Sequence, residues 1–353
     1  MPPYAGSSRP TLAEVAETAG VSLMTASYTY NRPGRVSDQA RAKVLAAAAE
    51  LGYAGPDPSA RSLRRGSTLT LGVVLGEHLT YAFDDPGAVT FLAGIAEVCA
   101  DQGYGMTVLP VTGAAEDIIR ITDAAVDGFI VWTTSDDDPA VAAIRETRRP
   151  AVIHGGPVVA GLAVVTIDNR AAARAIGALA FAGARRPAVV SQPLGRDRVS
   201  CVSRGPDVDS VLFPVTRERL EGYRQAAEDA GFAWDDVVVA VCSRNDPTEA
   251  ERIARDLLAS AQPPDAIAAM SDQQAAGVVR AAQSVGQVIP NDLAVTGWDD
   301  HAVAEQLGLT TVAQSLRDQG AACARIALGR ELPTPASWSV VPRASTRATR
   351  SSR

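Results

Sequence analysis

Between residues 69 and 298 the chain alternates short apolar runs with helical stretches, and this alternation constrains its fold more than any other feature. LTLGVVL (69–75), GMTVLP (105–110), GFIVW (128–132), PAVIHG (150–155) and AVVTID (163–168) make one series. PAVVSQ (187–192), VVVAVC (237–242), AIAAM (266–270) and LAVTGW (293–298) make a second. Helical patterns separate many of these runs, among them 88–102, 114–125, 170–182, 217–230, 247–260 and 272–285. Runs without polar alternation are strands buried on both faces, which requires helices on both sides of a parallel sheet. Written twice, this plan predicts an α/β region of two doubly wound lobes. Ligands in such sheets sit beyond the carboxyl ends of the strands, so two lobes facing each other form a cleft.

A different pattern precedes these lobes. In TLAEVAETAGVSLMTASYTYN (11–31), Thr11 and Glu14 have the spacing of a capping box, and Leu12, Val15, Ala16 and Ala19 recur on one helical face. Gly20 suits the positive φ of a helix end, Val21 plugs the turn, Ser22 caps a second helix, and Ala26 lets the two helices approach closely. A third helix from about Asp38 to Leu51, capped by Ser37, presents Val44, Leu45 and Ala48 to the same core. This is an all-α helix-turn-helix head. In such a unit the second helix enters the DNA major groove, which makes Leu23, Met24 and Tyr28 the expected base readers. Thr25, Ser27, Asn31, Arg32 and Arg35 are the expected phosphate-contacting set.

After the third helix, GYAGPDPSARSLRRGST (52–68) carries two helix-breaking prolines and then a short Ala/Arg/Leu stretch with Ser59 as a possible N-cap. Arg61, Arg64 and Arg65 suit a polyanion, and Leu63 is an apolar side chain of the kind that wedges between minor-groove base steps.

Together these segments resemble the lac repressor/galactose repressor family of bacterial transcription regulators. The resemblance is carried by Thr11, Glu14, Val15, Ala16, Ala19, Gly20, Val21, Ser22, Thr25, Ser27 and Asn31, then by Val36, Ser37, Ala40, Arg41, Val44, Ala47, Leu51, Gly52 and Tyr53. The hinge-helix motif of the family falls on Ala60 to Leu63, which implies a minor-groove role for Leu63 and places Ala60 and Arg64 beside DNA. Further matches run through Asp168 and Asn169, through RLEGYRQAAEDAG (219–231), and from AIAAMSDQQAAGVV to GWDD (266–300), followed by TTVAQ. The family's usual Gly and His after Asn169 are replaced here by alanines and by Ala184 or Arg185. Relatives often carry Arg or Lys at Tyr28, and the operator-choosing positions are Leu23 and Met24. Without a charged fork worth about 1–3 kcal/mol per base, the expected reading face uses apolar contact with thymine methyls plus the Tyr28 hydroxyl.

The resemblance also implies an effector cleft. Arg219 is expected to clamp ligand hydroxyls or carboxylates and Asp299 to accept their hydrogen bonds, with Asn245, Ser271 and Asp272 as weaker candidates, while an indole at Trp298 suits stacking on a sugar ring and packing at the lobe interface equally. For Asp272 an N-cap role competes with ligand contact.

The chain's −7 net charge is uneven: residues 1–66 hold eight basic and five acidic side chains, which leaves −10 for the remainder. An acidic bulk confines DNA contact to the head. Cys99, Cys201, Cys242 and Cys323 form no CxxC pair, and His78, His154 and His301 lack metal-ligand spacing, so neither a disulfide scaffold nor a metal is expected, and no cofactor. Phosphate-loop, GxSxG, HExxH and GxGxxG motifs are missing, and the acidic pairs Asp84/Asp85 and Asp136 to Asp138 read as solvated turns. Secretion and membrane spanning are not expected, since no apolar run reaches about 18 residues.

The expected order is a disordered arm (1–8), the helix-turn-helix domain (9–55), a linker with hinge helix (56–67), a bilobed effector and dimerisation domain (68–343) and a disordered tail (344–353). Lobe 1 is expected to take 68–166 and 298–325, and lobe 2 to take 167–297 and 326–343. The chain is thus expected to be a cytoplasmic homodimeric repressor, reading a palindromic duplex operator under control of a small-molecule effector of the sugar class. A solute receptor or an enzyme on the same bilobed fold is the alternative.

Overall fold

The computed structural model of the chain describes residues 10–55, 66–76 and 79–347. The chain divides after Thr68 into two compact units. The expected arm 1–8, the hinge residues Ala60, Leu63 and Arg64, His78 and residues 348–353 lie outside the described residues.

The first unit contains α1 (Leu12–Thr18), α2 (Leu23–Asn31), a 3-10 turn (Pro33–Arg35) and α3 (Asp38–Leu51). Its starts are the ones written in the sequence: Thr11 N–H donates to Glu14 Oε2 (2.6 Å) while Glu14 N–H donates to Thr11 Oγ1 (3.3 Å). Ser22 and Ser37 accept from the amides of Thr25 (3.1 Å) and Ala40 (3.3 Å). Val15, Ala26 and Val44 are fully buried, with Ala16, Ala47 and Ala48 around them. Leu45, expected in this core, is instead exposed; Ala47 and Ala48 fill that side, because three closely packed short helices leave room for methyl groups and not for another isobutyl group.

In the second unit a five-stranded parallel sheet has the order β2-β1-β3-β4-β5, from β1 (Thr70–Leu75), β2 (Gly105–Pro110), β3 (Gly128–Trp132), β4 (Ala151–His154) and β5 (Ala163–Val165). A second sheet has the order β10-β9-β6-β8-β7, from β6 (Pro187–Ser191), β7 (Cys201–Arg204), β8 (Val238–Val241), β9 (Ala266–Ala269) and β10 (Ala294–Thr296). Only β7 runs antiparallel within it. The sequence did not suggest β7, since CVSR is mostly exposed and lacks an apolar run. Helices α4 (Tyr81–Asp84), α5 (Pro86–Gln102), α6 (Ala115–Thr122) and α7 (Pro139–Glu146) belong to the first sheet. Helices α8 (Asn169–Phe181), α9 (Pro214–Asp229), α10 (Pro247–Leu258), α11 (Asp272–Ser284) and α12 (Ala302–Leu307) belong to the second. A ribbon of β11 (Thr311–Gln314) and β12 (Trp338–Val341) flanks α13 (Leu316–Ala327).

The lobe boundaries differ from expectation. Trp298, Ala304, Leu309 and Val312 are buried among lobe 2 side chains, so the second crossing falls between Val312 and Leu316 rather than at 298. Helix α13 packs on α5 in lobe 1 through two glycines: a Cβ on Gly94 would lie 1.9 Å from the Arg317 carbonyl oxygen, and one on Gly320 2.1 Å from that of Phe91. Lobe 1 therefore reaches Leu328, and the chain returns to lobe 2 by Ala336. The expected tail from 344 is also shortened. Ser345 is buried, donating to Val295 O (2.6 Å) and accepting from Thr310 N–H (2.8 Å), because its hydroxyl completes the edge beside β10.

Candidate functional sites

In the first unit, α2 presents Leu23 and Met24 to solvent at 55% and 64% exposure, so neither belongs to the three-helix core. They occupy the first turn because Ser22 starts the helix immediately before them. Asn31, the last residue of α2, and Arg32 and Arg35 beyond it are exposed, while Thr25, Ser27 and Tyr28 are half-buried. Two of the hydroxyls serve the helix first: Thr25 Oγ1 pairs with Ser22 Oγ (2.9 Å), and Ser27 Oγ accepts from Asn31 Nδ2 (3.3 Å).

In the second unit the two sheets face each other across a cleft with about 900 Å³ of empty space. The carboxyl end of β3 supplies Trp132 and Thr133, and that of β4 supplies His154. Asp85 stands at the start of α5, where its Oδ1 accepts from Ala88 N–H (2.8 Å). From lobe 2 come Asn169, Gln192, Arg198, Phe213, Arg219, Asn245 and Asp299.

Arg219 is the most constrained of these. Only 7% exposed, it donates from Nε to Asn169 Oδ1 (3.0 Å) and from Nη1 to Met270 O (2.8 Å). Its guanidinium lies 4.0 Å from the centre of the Trp298 ring. Burial pushes its pKa down, opposed by the nearby Asp299 carboxylate. Asp299, at φ 102°, accepts from Gln314 Nε2 (2.8 Å). The structure thus brings Arg219, Asp299 and Asn245 together on the cleft wall.

Two expected contacts are corrected. Trp298 is fully buried and does not line the cleft; one face is covered by Arg219, so the indole supports the guanidinium instead of stacking on a ligand. Asp272 is also fully buried: Oδ2 accepts from His301 N–H (2.7 Å) and Oδ1 from Thr311 Oγ1 (2.7 Å). Ser271, not Asp272, caps α11 through Gln274 N–H (3.1 Å). Burial, followed by the Asp299 charge, pushes the Asp272 carboxyl up to about 7.

Two acidic turns, in which Asp84, Asp136 and Asp137 are exposed as expected and Asp85 and Asp138 are not, also tie the lobes together. Asp85 is 5% exposed and its Oδ2 accepts from Asn245 Nδ2 of lobe 2 (2.5 Å). Burial raises its pKa, opposed by hydrogen bonds from Ala88 and Asn245. In the loop after β3, Asp137 pairs with Arg196 (2.8 Å) and Asp136 with Arg217 (2.6 Å), while Asp138 caps α7 through Ala140 N–H (2.9 Å). The usable signal was Asp followed by Pro, twice, which marks a capped helix start beneath a strand end. His154, Gln314 and Gln319 were not foreseen as wall residues at all. No helix among the described residues is long and apolar enough to cross a membrane, and no group of His, Cys, Asp and Glu among them could hold a metal ion.

Known proteins match both units. Residues 11–55 match bacterial regulatory proteins of the lacI family, and residues 176–349 match a periplasmic binding protein-like domain. The chain is 36% identical to an HTH-type transcriptional regulator of Mycobacterium tuberculosis over 88% of each chain. It is similar to the crystal structure of a LacI-family transcriptional regulator from Corynebacterium glutamicum, with a TM-score of 0.71 and 30% identity, covering 97% of this chain and 100% of that one. A complex of the transcriptional regulator CelR with cellobiose gives a TM-score of 0.65 at 27% identity, covering 96% and 100%.

Proposed function

Because the chain belongs to the lacI family of bacterial regulatory proteins, whose members regulate transcription rather than catalyse reactions, we propose that it is a cytoplasmic repressor acting as a homodimer on a palindromic operator. Its DNA-binding unit reads a half-site, and its ligand-binding unit responds to a neutral sugar or similar polyhydroxyl metabolite. One helix-turn-helix spans only a half-site, which is why two copies and an inverted repeat belong together.

The observation that carries the effector assignment is the buried Arg219 guanidinium facing the cleft beside Asp299. Keeping a cation and a carboxylate largely out of water is costly unless other groups hydrogen-bond to them. A hydroxyl-rich ligand, which both donates and accepts, answers both at once. The complex of CelR with cellobiose supports the sugar class.

In the head, Leu23, Met24 and Tyr28 meet base edges, and Thr25, Ser27, Asn31, Arg32 and Arg35 meet the sugar-phosphate backbone. Ala60, Leu63 and Arg64 meet the minor groove at the operator centre. Effector binding changes the angle between the lobes and so the spacing of the two heads. A coupling of about 1–3 kcal/mol alters operator occupancy 5- to 150-fold.

Selection of bound duplexes from fragments of the source genome by the full chain tests this. Enrichment of an inverted repeat, with affinity altered by a sugar, is expected. Equal retention of random competitor DNA at moderate salt, with and without sugars, would overturn it. Leu63→Ala separately tests the wedge, which is lost as an idea if operator affinity does not change.

A further inference from the structure

Four side chains along the cleft are joined in a hydrogen-bonded series that runs from lobe 2 to lobe 1. Asp299, in the loop after β10, accepts at Oδ1 from Gln314 Nε2 (2.8 Å). Gln314, at the second crossing between lobes, accepts at Oε1 from Gln319 Nε2 (3.1 Å). Gln319, in the first turn of α13, pairs through Oε1 with His154 Nε2 (3.0 Å) at the end of β4.

The direction of this series follows from chemistry and not from the choice of amide orientation. A carboxylate only accepts, so Gln314 must turn its NH₂ to Asp299 and its carbonyl to Gln319. Gln319 must then give its own NH₂ to Gln314, which leaves its carbonyl for the imidazole. The imidazole nitrogen at that carbonyl must carry a proton. His154 Nδ1 is then a bare acceptor, and it is buried with no partner among the described residues. The ring is held by stacking on Trp132 (4.9 Å, 15°) and by contact with Phe91 (4.7 Å). Burial lowers its pKa to about 4, so it is neutral near pH 7.

We propose that Asp299, Gln314 and Gln319 act as positioning residues that fix His154 in its Nε2–H form, making His154 a specificity residue that accepts a hydrogen bond from the effector through Nδ1. The proposal rests on the effector-cleft assignment above. Leaving a buried acceptor without a partner is costly, and a ligand hydroxyl relieves that cost where a ligand carboxylate does not. The same series makes a contact at Asp299 in lobe 2 felt in lobe 1.

The test needs no known ligand. The chain has three histidines, so full-length protein grown with isotope-labelled histidine gives three ring systems, and His154→Gln assigns the one in question. Long-range proton–nitrogen spectra near neutral pH should show the Nε2–H form for His154. Asp299→Asn and Gln314→Leu, neither of them hydrogen-bonded to the ring itself, should convert it to a tautomer mixture. An Nδ1–H or charged ring in the unsubstituted protein overturns the proposal whether or not the variants fold, as does a tautomer unmoved by both substitutions. Cellobiose and a panel of neutral mono- and disaccharides are then added: a sugar that raises the melting temperature should shift the His154 Nδ1 resonance, and one that binds without shifting it removes His154 from specificity. If no sugar binds while the tautomer is as stated, the series stands and the effector assignment fails.

Discussion

The head and the cleft break the usual sorting of side chains in opposite ways. On α2, Leu23 and Met24 stand in water although they are apolar; in the cleft, Arg219 and Asp85 are buried although they can carry charge. The head tolerates its anomaly cheaply, since a few exposed apolar side chains cost a small domain little. The cleft tolerates its anomaly only through Asn169, Met270, Trp298 and Asn245, which hold the buried charges. Substitutions on the reading face should therefore alter binding alone, whereas substitutions in the cleft should alter folding and binding together.

The largest break in that contrast is expected at Arg219. Arg219→Ala leaves Asn169 Oδ1 and Met270 O without their donor and uncovers Trp298, a loss of about 3–4 kcal/mol by denaturant unfolding. A variant as stable as its parent would mean the guanidinium is an ornament of the wall and not part of its frame.

Asp272 should show the next effect, and through pH. Its carboxyl is raised from 3.8 to about 7, so across that interval the folded chain keeps a proton that the unfolded chain has lost. Its contribution to stability is fully present below about pH 4 and is lost as pH rises through 7. Asp272→Asn supplies an oxygen for His301 N–H and an NH₂ for Thr311 without the charge; near pH 8 it should be roughly 2–3 kcal/mol more stable than its parent, with the gain fading toward pH 4. His154 slopes the other way. Lowered from 6.5 to about 4 by burial, it makes stability rise with pH between those values. The two slopes oppose each other in the parent, so unfolding of Asp272→Asn across pH should reveal the rising limb.

On the reading face, Leu23→Ala and Met24→Ala should each weaken operator binding about tenfold, or about 1.4 kcal/mol. Their unfolding free energies should stay within about 0.5 kcal/mol of the parent. A melting temperature that fell with either would place that side chain in the head's core.

The same contrast explains what the sequence revealed. Periodicity and capping residues are local, so Thr11, Ser22 and Ser37 announced their helices and the apolar runs announced nearly every strand of both sheets. Arg219 and Asp299 were legible through motif resemblance. What escaped is long-range: Asp85 meets Asn245 across 160 residues and His154 meets Gln319 across 165, and no short spacing encodes such meetings. For the same reason Trp298 stayed open between ligand stacking and packing, and Asp272 was placed at a ligand or a helix cap when it serves neither. Each belongs to a motif beside the cleft, but one position either way along that turn decides whether a side chain faces ligand or core.

The smallest effect sharpens the contrast within the cleft itself, between its buried tie and its exposed ones. Asp85 with Asn245 joins the lobes out of water, whereas Asp137 with Arg196 does so at the surface, with side chains 65% and 34% exposed. Exposed pairs contribute about 0.2–1 kcal/mol and are screened over about 10 Å at moderate salt. Asp137→Asn should therefore lower stability by no more than about 0.5 kcal/mol in dilute buffer, and the difference should vanish in roughly molar salt. Asp85→Asn should behave otherwise: it exchanges a buried acceptor for an amide that meets the Asn245 NH₂ or the Ala88 N–H with a donor, so its larger effect should persist in salt. If both respond to salt alike, the Asp85 tie is as wet as the rim, and the burial that sets the cleft apart from the head would not extend to its lobe 1 wall.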